Sequence, residues 1–329
     1  MTTPRPAGRR QRRLPLLLAG LLAVAALGVG GYVLLGSGAG VLREPERCLA
    51  HVDGRTVALD LDQAANAAII AGVAVERGLP ARAVTIALAT AYQESKIRNL
   101  DHGDRDSLGL FQQRPSQGWG TAEQVRDAHY AAGRFYDALV KIDGYRDLEI
   151  TAAAQRVQRS AFGTAYADHE PDARVLASAL TGYSPAGLTC VVRHDGVAVE
   201  QPGERGLTPR ADAVLRDLEA TFGQQTVGGF APGGVTDGHA EGSAHYDGRA
   251  VDVFFRPVSE AQRRAGWAQA QYLVSRAKAL GIQTVIFDDR IWTARRSESG
   301  WRAYQEPSGG DAEVLQHRDH VHVDVLSGS

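Results

Sequence analysis

Two parts of this sequence set reactive side chains at spacings that chemistry can use. The first runs AYQESKIRNLDHGDRDSLGLFQQRP over residues 91–115. Glu94 closes an apolar stretch just before a polar loop rich in Gly and Asp. An acid at such a boundary is half in water, a setting in which a carboxyl can keep a proton for donation. The loop returns at Gly109-Leu110-Phe111-Gln112. The second part pairs SAHYDGRAVDV (243–253) with HRDHVHVDV (317–325). His245 and Asp252 are seven apart, with Gly248 between them for a tight turn. His320 and His322 alternate with Val, so both project from one strand face. Two His and one Asp suit zinc and leave a fourth tetrahedral position for water. A structural zinc site uses the same residue types.

The elements that must carry these residues are legible from punctuation. Dense Ala and Ile from Leu61 to about Arg77 predict a buried helix, ended by Gly78. Pro80 opens the next helix at its first turn, and that helix runs to about Lys96. Further helices are expected near 122–141, 148–160 and 171–181, with no strand between 60 and 182. The first globular part is therefore mainly α. Residues 191–208 read as a linker. Thr208-Pro209 starts a helix that Gly223 closes. Ser259 and Gln262 form a capping-box pattern for a helix to Leu280, ended by Gly281. Strands are expected at Val251–Phe255, Thr284–Phe287 and His320–Val325, which makes the second part α+β.

With these elements placed, residues 60–182 resemble the lytic transglycosylase and goose-type lysozyme superfamily. Glu94-Ser95 matches its Glu-Ser at a helix end, and Gly109-Leu110-Phe111-Gln112 matches the return motif, 18 residues from Glu to Gln. Arg114-Pro115 and Ala165-Tyr166 sit where that family often has Pro and Ala-Tyr. The resemblance implies that Glu94 is the general acid, then the base that draws a proton from the sugar's 6-hydroxyl to give a 1,6-anhydro end. Ser95, Gln112 and Tyr166 would bind the glycan. Asp101, Asp104 and Asp106 keep hydrolysis open, since a second carboxylate can activate water or trap the oxocarbenium ion.

Residues 209–329 resemble the zinc D-Ala-D-Ala peptidase and hedgehog-like fold. Ser243, His245, Gly248, Ala250 and Asp252 match its motif, followed by a late His. They also look like an actinobacterial C-terminal domain of wall-associated proteins, marked by Arg290-Ile291-Trp292 and Asp319-His320-Val321-His322. The resemblance implies zinc ligands His245, Asp252 and His322. The base is His320, which shares a strand face with His322, or alternatively Asp319, three residues before the last ligand. The family's transition-state Arg after a Gly-aromatic pair is missing, because Gly229-Phe230 is followed by Ala231. Arg249 and Arg290 are the substitutes to consider. His239 and His317 read as ordinary loop residues, and Trp292 and Trp301 as packing.

Composition sets the compartment. Of 36 Lys+Arg, five Arg fall in the first thirteen residues, leaving a surplus of seven acids over bases in the rest. An acidic body is a poor partner for nucleic acid. Two Cys exclude a multi-cysteine zinc ribbon and an iron–sulfur site. Residues 14–35 carry no charge and would span about 33 Å as a helix, enough for a membrane crossing with the basic tail (1–13) in the cytoplasm. A cleaved signal peptide is the rival, with Ser37 and Ala39 near a cleavage point. Outside the cell, Cys48 and Cys190 can form a disulfide. The expected order is basic tail, anchor (14–35), linker (36–47), lysozyme-like domain (48–190), linker (191–208) and zinc-peptidase-like domain (209–329). Both resemblances point to peptidoglycan, one half addressing glycan strands and the other stem peptides. The competing readings are a wall-binding protein of an envelope assembly and a secreted lysin.

Overall fold

Residues 2–3, 44–158, 166–305 and 312–328 are described by a computed structural model of the chain. The expected anchor (14–35), nearly all of the basic tail, residues 36–43 of the first linker, and Ala165 lie outside the described residues. No helix among the described residues is long and apolar enough to cross a membrane. The fold is a mixture of helix and sheet.

The first half opens with strands β1 (Arg47–Val52) and β2 (Arg55–Leu59) and closes with β3 (Leu188–Val191). They form a small antiparallel sheet in the order β2-β1-β3. Cys48 and Cys190 are cross-strand partners and are disulfide-bonded. Chain-entropy arithmetic for so long a loop gives about 4–5 kcal/mol.

Between these strands lies a helical body. Helix α1 (Leu61–Glu76) begins at a full capping box: Asp60 accepts from the Gln63 backbone N–H, and Gln63 accepts from that of Asp60. Such a cap contributes about 1 kcal/mol. Helix α2 (Ala81–Ser95) starts after Pro80, which stands at the N-cap, one residue earlier than its expected place. Lys96 and Ile97 both take left-handed φ, at 57° and 58°, so the chain turns sharply just after Glu94-Ser95. The turn is fixed from α1. Gln63 Nε2 donates to the Lys96 carbonyl, Asn66 Nδ2 to that of Ile97, and the Ile97 side chain is fully buried. Helices α3 (Ala122–Arg126), α4 (Ala128–Leu139), α5 (Ile150–Gln158) and α6 (Glu170–Leu180) complete this half. No strand occurs between 60 and 182 among the described residues.

The second half begins with α7 (Pro209–Phe222), capped by Thr208 and closed by Gly223. Strands β4 (Val227–Gly228), β5 (Ala250–Phe254), β6 (Ile282–Phe287), β7 (Arg290–Thr293) and β8 (Arg302–Ala303) flank helix α8 (Glu260–Leu280), capped by Ser259 and ended by Gly281. After helix α9 (Ala312–Leu315), the last strand, β9 (His320–Val325), enters the middle of the sheet. The order is β4-β5-β9-β6-β7-β8, all antiparallel. Every β9 residue is buried, with the helices α7 and α8 packed against the strand. Register pairs Asp252 with His322 and Phe254 with His320. The predicted alternation therefore sets His320, His322 and Asp324 together on one face of the sheet.

Glu46–Ser329 makes up one contact unit, so the two halves share a packed boundary. The Ala-rich α1 lies against both α2 and α8. At Gly72 a Cβ would come within 2.3 Å of Thr221, and at Gly182, φ 77°, within 1.9 Å of the Arg264 carbonyl. Polar links cross the same boundary. Buried Gln271 accepts from the Leu188 N–H and donates to the Ala179 carbonyl. Trp292 and Trp301 donate their indole N–H to the carbonyls of Cys190 and Leu188.

Candidate functional site

Glu94 lines a cleft of about 1160 Å3 in the first half. The sharp turn at Lys96-Ile97 ends α2 there, so the carboxyl sits at the wall of the cleft and is half-buried. Tyr166, 1% exposed, donates its hydroxyl to Glu94 Oε1 at 2.8 Å. That contact occupies one oxygen and leaves Oε2 for another partner. Gln112 lines the same cleft in left-handed conformation, its Nε2 donating to the Gly109 and His102 carbonyls. Its side chain lies against Gly103, where a Cβ would be 1.9 Å from Gln112 Oε1.

Ser95 does not line the cleft. It is buried, with Oγ 2.7 Å from the Leu110 carbonyl and 3.0 Å from that of Ala91, so it ties the end of α2 to the return loop. The three loop acids separate. Asp106 accepts from the Ser116 backbone N–H and from Arg114, which hold its carboxyl far below the usual range. Asp101 is held down by its hydrogen bond from His102. Asp104 lines the cleft with Glu94.

The second half gathers His245, Asp252 and His322. His245 Nε2 is 3.1 Å from His322 Nδ1 and 3.2 Å from Asp252 Oδ1, and the last two atoms are 3.0 Å apart. Zn–N and Zn–O bonds near 2.0–2.1 Å imply tetrahedral ligand separations of about 3.3 Å. The donor triangle therefore fits zinc in size and chemistry. The far nitrogens are also engaged, as ligating imidazoles require. His245 Nδ1 donates to the Gly229 carbonyl at 2.7 Å, and His322 Nε2 faces Asp324 Oδ2 at 3.5 Å. Position 229 must be glycine: φ is 79°, and a Cβ would lie 2.3 Å from the His245 ring.

Electrostatics agrees with a cation site. Burial works against ionisation of Asp252, but hydrogen bonds from His245 and His322 outweigh it and hold its pKa well below the usual range. Burial also works against a charge on His322, yet Asp252 and Asp324 outweigh it and raise its pKa to about 9. Without a metal, a proton on His322 holds the cluster together.

His320 and Asp319 turn out to be partners. Asp319 Oδ1 is 2.7 Å from His320 Nδ1, and Arg256 grips the other oxygen at 2.6–2.7 Å. His320 Nε2 points to the cluster of His245, Asp252 and His322, 3.9 Å from Asp252 Oδ1. Asp319 is thus committed on both oxygens, whereas His320 offers a free nitrogen to the site.

Arg256 escaped the sequence reading, and His239 and His317, read there as ordinary loop residues, lie against the cluster. Arg256 supplies the guanidinium beside the site; Arg249 instead binds Asp247 and the Val325 carbonyl. His239 stacks on His245 with ring centroids 3.9 Å apart. His317 lies 4.5 Å from the His320 ring, and burial pushes its pKa down to about 3, so it forms a neutral wall. The clustering of five of the ten His between 239 and 322 was the available signal. Trp292 and Trp301 pack at the boundary between the halves.

A comparison with curated proteins found no match. The sequence profile of the family described as "VldE, C-terminal domain" matches residues 203–315. That likeness covers about a third of the chain, takes in His239, His245 and Asp252, and stops before His320 and His322.

Proposed function

We propose that this protein is a membrane-anchored peptidoglycan-remodelling enzyme with its body outside the cell. In this reading the first half is a lysozyme-like, glycan-cleaving domain and the second a zinc-peptidase-like domain acting on stem peptides. The observation that carries it is Glu94 on the wall of an open cleft, with Oε1 held by Tyr166 and Oε2 left for a chain. Glu94 Oε2 gives its proton to the glycosidic oxygen as the bond breaks. It then takes a proton from the sugar's own 6-hydroxyl, which closes a 1,6-anhydro ring, or from a water that Asp104 helps to place. Gln112 holds the chain from the opposite side of the loop.

In the second half, zinc held by His245, Asp252 and His322 would act as a Lewis acid toward a peptide carbonyl and the attacking water. His320 Nε2 receives the water's proton and passes it to the leaving amine. Asp319 keeps Nδ1–H directed at itself, so that Nε2 is the basic nitrogen. The second reading, a zinc-dependent wall-binding module beside one active domain, draws on Ala231 in place of the family's Arg and on the engagement of Arg249 elsewhere. Mass spectrometry of sacculi digested with the purified protein separates them. Anhydro or reducing sugar ends together with cut stems support the first reading. Sugar ends alone support the second, and neither product sinks both.

A further inference from the structure

The face of the metal triangle that looks toward solvent is not open. His245, Asp252 and His322 are only 2%, 6% and 8% exposed. His239, half-exposed itself, lies over them. One ring nitrogen of His239 and ligand atoms of His245 and Asp252 all fall within 4.8 Å of one another. Its ring is nearly parallel to that of His245, with 18° between the planes. The backbone is held in place by the neighbour of a ligand: Tyr246 donates its hydroxyl to the His239 carbonyl at 2.6 Å and accepts from the His239 N–H at 3.1 Å.

The segment that carries His239 is a glycine-rich loop without regular secondary structure. Gly233, Gly234, Gly238 and Gly242 all have left-handed φ, and a Cβ at any of them would meet nothing within 4 Å. Glycine is there for backbone freedom and not for close packing. A tetrahedral ligand set needs separations of about 3.3 Å, and the His239 nitrogen, within 4.8 Å of the His245 and Asp252 atoms, stands just beyond that spacing from those two. To ligate, His239 would leave the stack on His245 and turn its ring edge to the cation, which takes a side-chain rotation together with an adjustment of the loop.

We propose that His239 is a fourth, displaceable protein ligand of the metal centre. The inference rests on the zinc reading above. Four protein ligands make a closed site with no place for water, whereas three make an open one. The resting protein would hold zinc shut under the 231–243 loop, and a ligand that draws the loop away would open it. A stem peptide offers suitable chemistry, since its terminal carboxylate competes for the same cation.

The test uses the full-length protein in detergent, loaded with zinc, and reads coordination by X-ray absorption. The wild type should show three imidazoles and no water oxygen. His239→Ala should show two imidazoles and at least one added oxygen. Zinc affinity, measured against a chromophoric chelator, should fall at least by the about 10–100-fold typical of losing a supporting partner. Tyr246→Phe, which loosens the backbone clamp without touching a ligand, should shift affinity the same way by less. If the wild type binds zinc through two imidazoles and water, and His239→Ala is unchanged, the proposal fails while the zinc reading stands. If the wild type takes up no zinc, and His245→Ala likewise changes nothing, the zinc reading itself fails.

Discussion

His320 Nδ1 lies 2.7 Å from Asp319 Oδ1, and the other oxygen of Asp319 is gripped by Arg256. Two residues that the motif offers as rival bases thus form one unit, with Asp319 behind His320. The order matters because an imidazole has two nitrogens, and the hydrogen bond made by one decides what the other can do. Here Nδ1 is held and Nε2 is turned toward Asp252.

That arrangement predicts a split between metal binding and turnover. Asp319→Asn keeps the shape but presents an amide to Nδ1. It should retain about one zinc per chain and lose about 10–100-fold in stem cleavage. His320→Ala should also keep zinc and lose more. Loss of zinc in either variant, seen by metal analysis, would contradict a role for the pair beyond the ligands.

The elements of the second half were largely legible. Thr208, Gly223, Ser259 and Gly281 mark helix ends by cap chemistry, and the His/Val alternation of β9 fixes its faces. Asp252 and His322 meet because they are cross-strand neighbours. What escaped depends on contacts distant in sequence. Strands β1 and β3 are short, and their pairing joins residues 142 apart. The Ala-rich run marks α1 as a buried helix, but nothing local says that it packs against α8 of the second half as well as α2. Arg256 sits beside Pro257 in a loop, and only the folded sheet brings it to Asp319.

Glu94 should be indispensable for glycan cleavage. Glu94→Gln preserves size but cannot donate and recover a proton. Activity on purified glycan strands should drop by about 10²–10⁴-fold, with an unchanged melting curve. Tyr166→Phe removes only the hydrogen bond to Oε1 and should cost less. A residual activity within tenfold of wild type in Glu94→Gln moves the chemistry to another residue.

The zinc site should compete with protons. His322 has its pKa raised to about 9 in the metal-free protein, so zinc must displace a proton from it at neutral pH. Zinc affinity should rise with pH until about 9, and calorimetry in two buffers should detect proton release. The metal-free protein has the opposite trend in stability. A raised pKa contributes stability that is full below the ordinary histidine value of 6.5 and is lost as pH climbs through 9. Melting temperature without zinc should therefore decline over that window. A flat profile there, with no protons released on binding, would rule out His322 as the ligand that exchanges a proton for zinc.

Topology is testable at the end of the chain. The Arg cluster before an uncharged stretch at 14–35 predicts that everything after it is outside. A reporter that works only in the cytoplasm, fused after Ser329, should be silent. A strong signal would remove the wall from the account altogether.

The two halves should unfold together. Strand β3 is bonded to β1 through Cys48–Cys190, yet its carbonyls also receive the indoles of Trp292 and Trp301, and its first N–H is taken by Gln271. The disulfide strand is therefore part of the support of the second half as well as the first. Replacing both Cys by Ser should lower stability by up to about 4–5 kcal/mol. The loss should appear in both halves at once. Three of the four Trp, at 267, 292 and 301, report on the second half by fluorescence, while the helices of the first half weigh heavily in far-ultraviolet circular dichroism. Denaturant curves from the two signals should coincide in the wild type and shift together in the variant. Separate transitions, with the fluorescence midpoint unmoved by the Cys replacements, would show two independent domains and leave the boundary at Gly72, Gly182 and Gln271 without energetic weight.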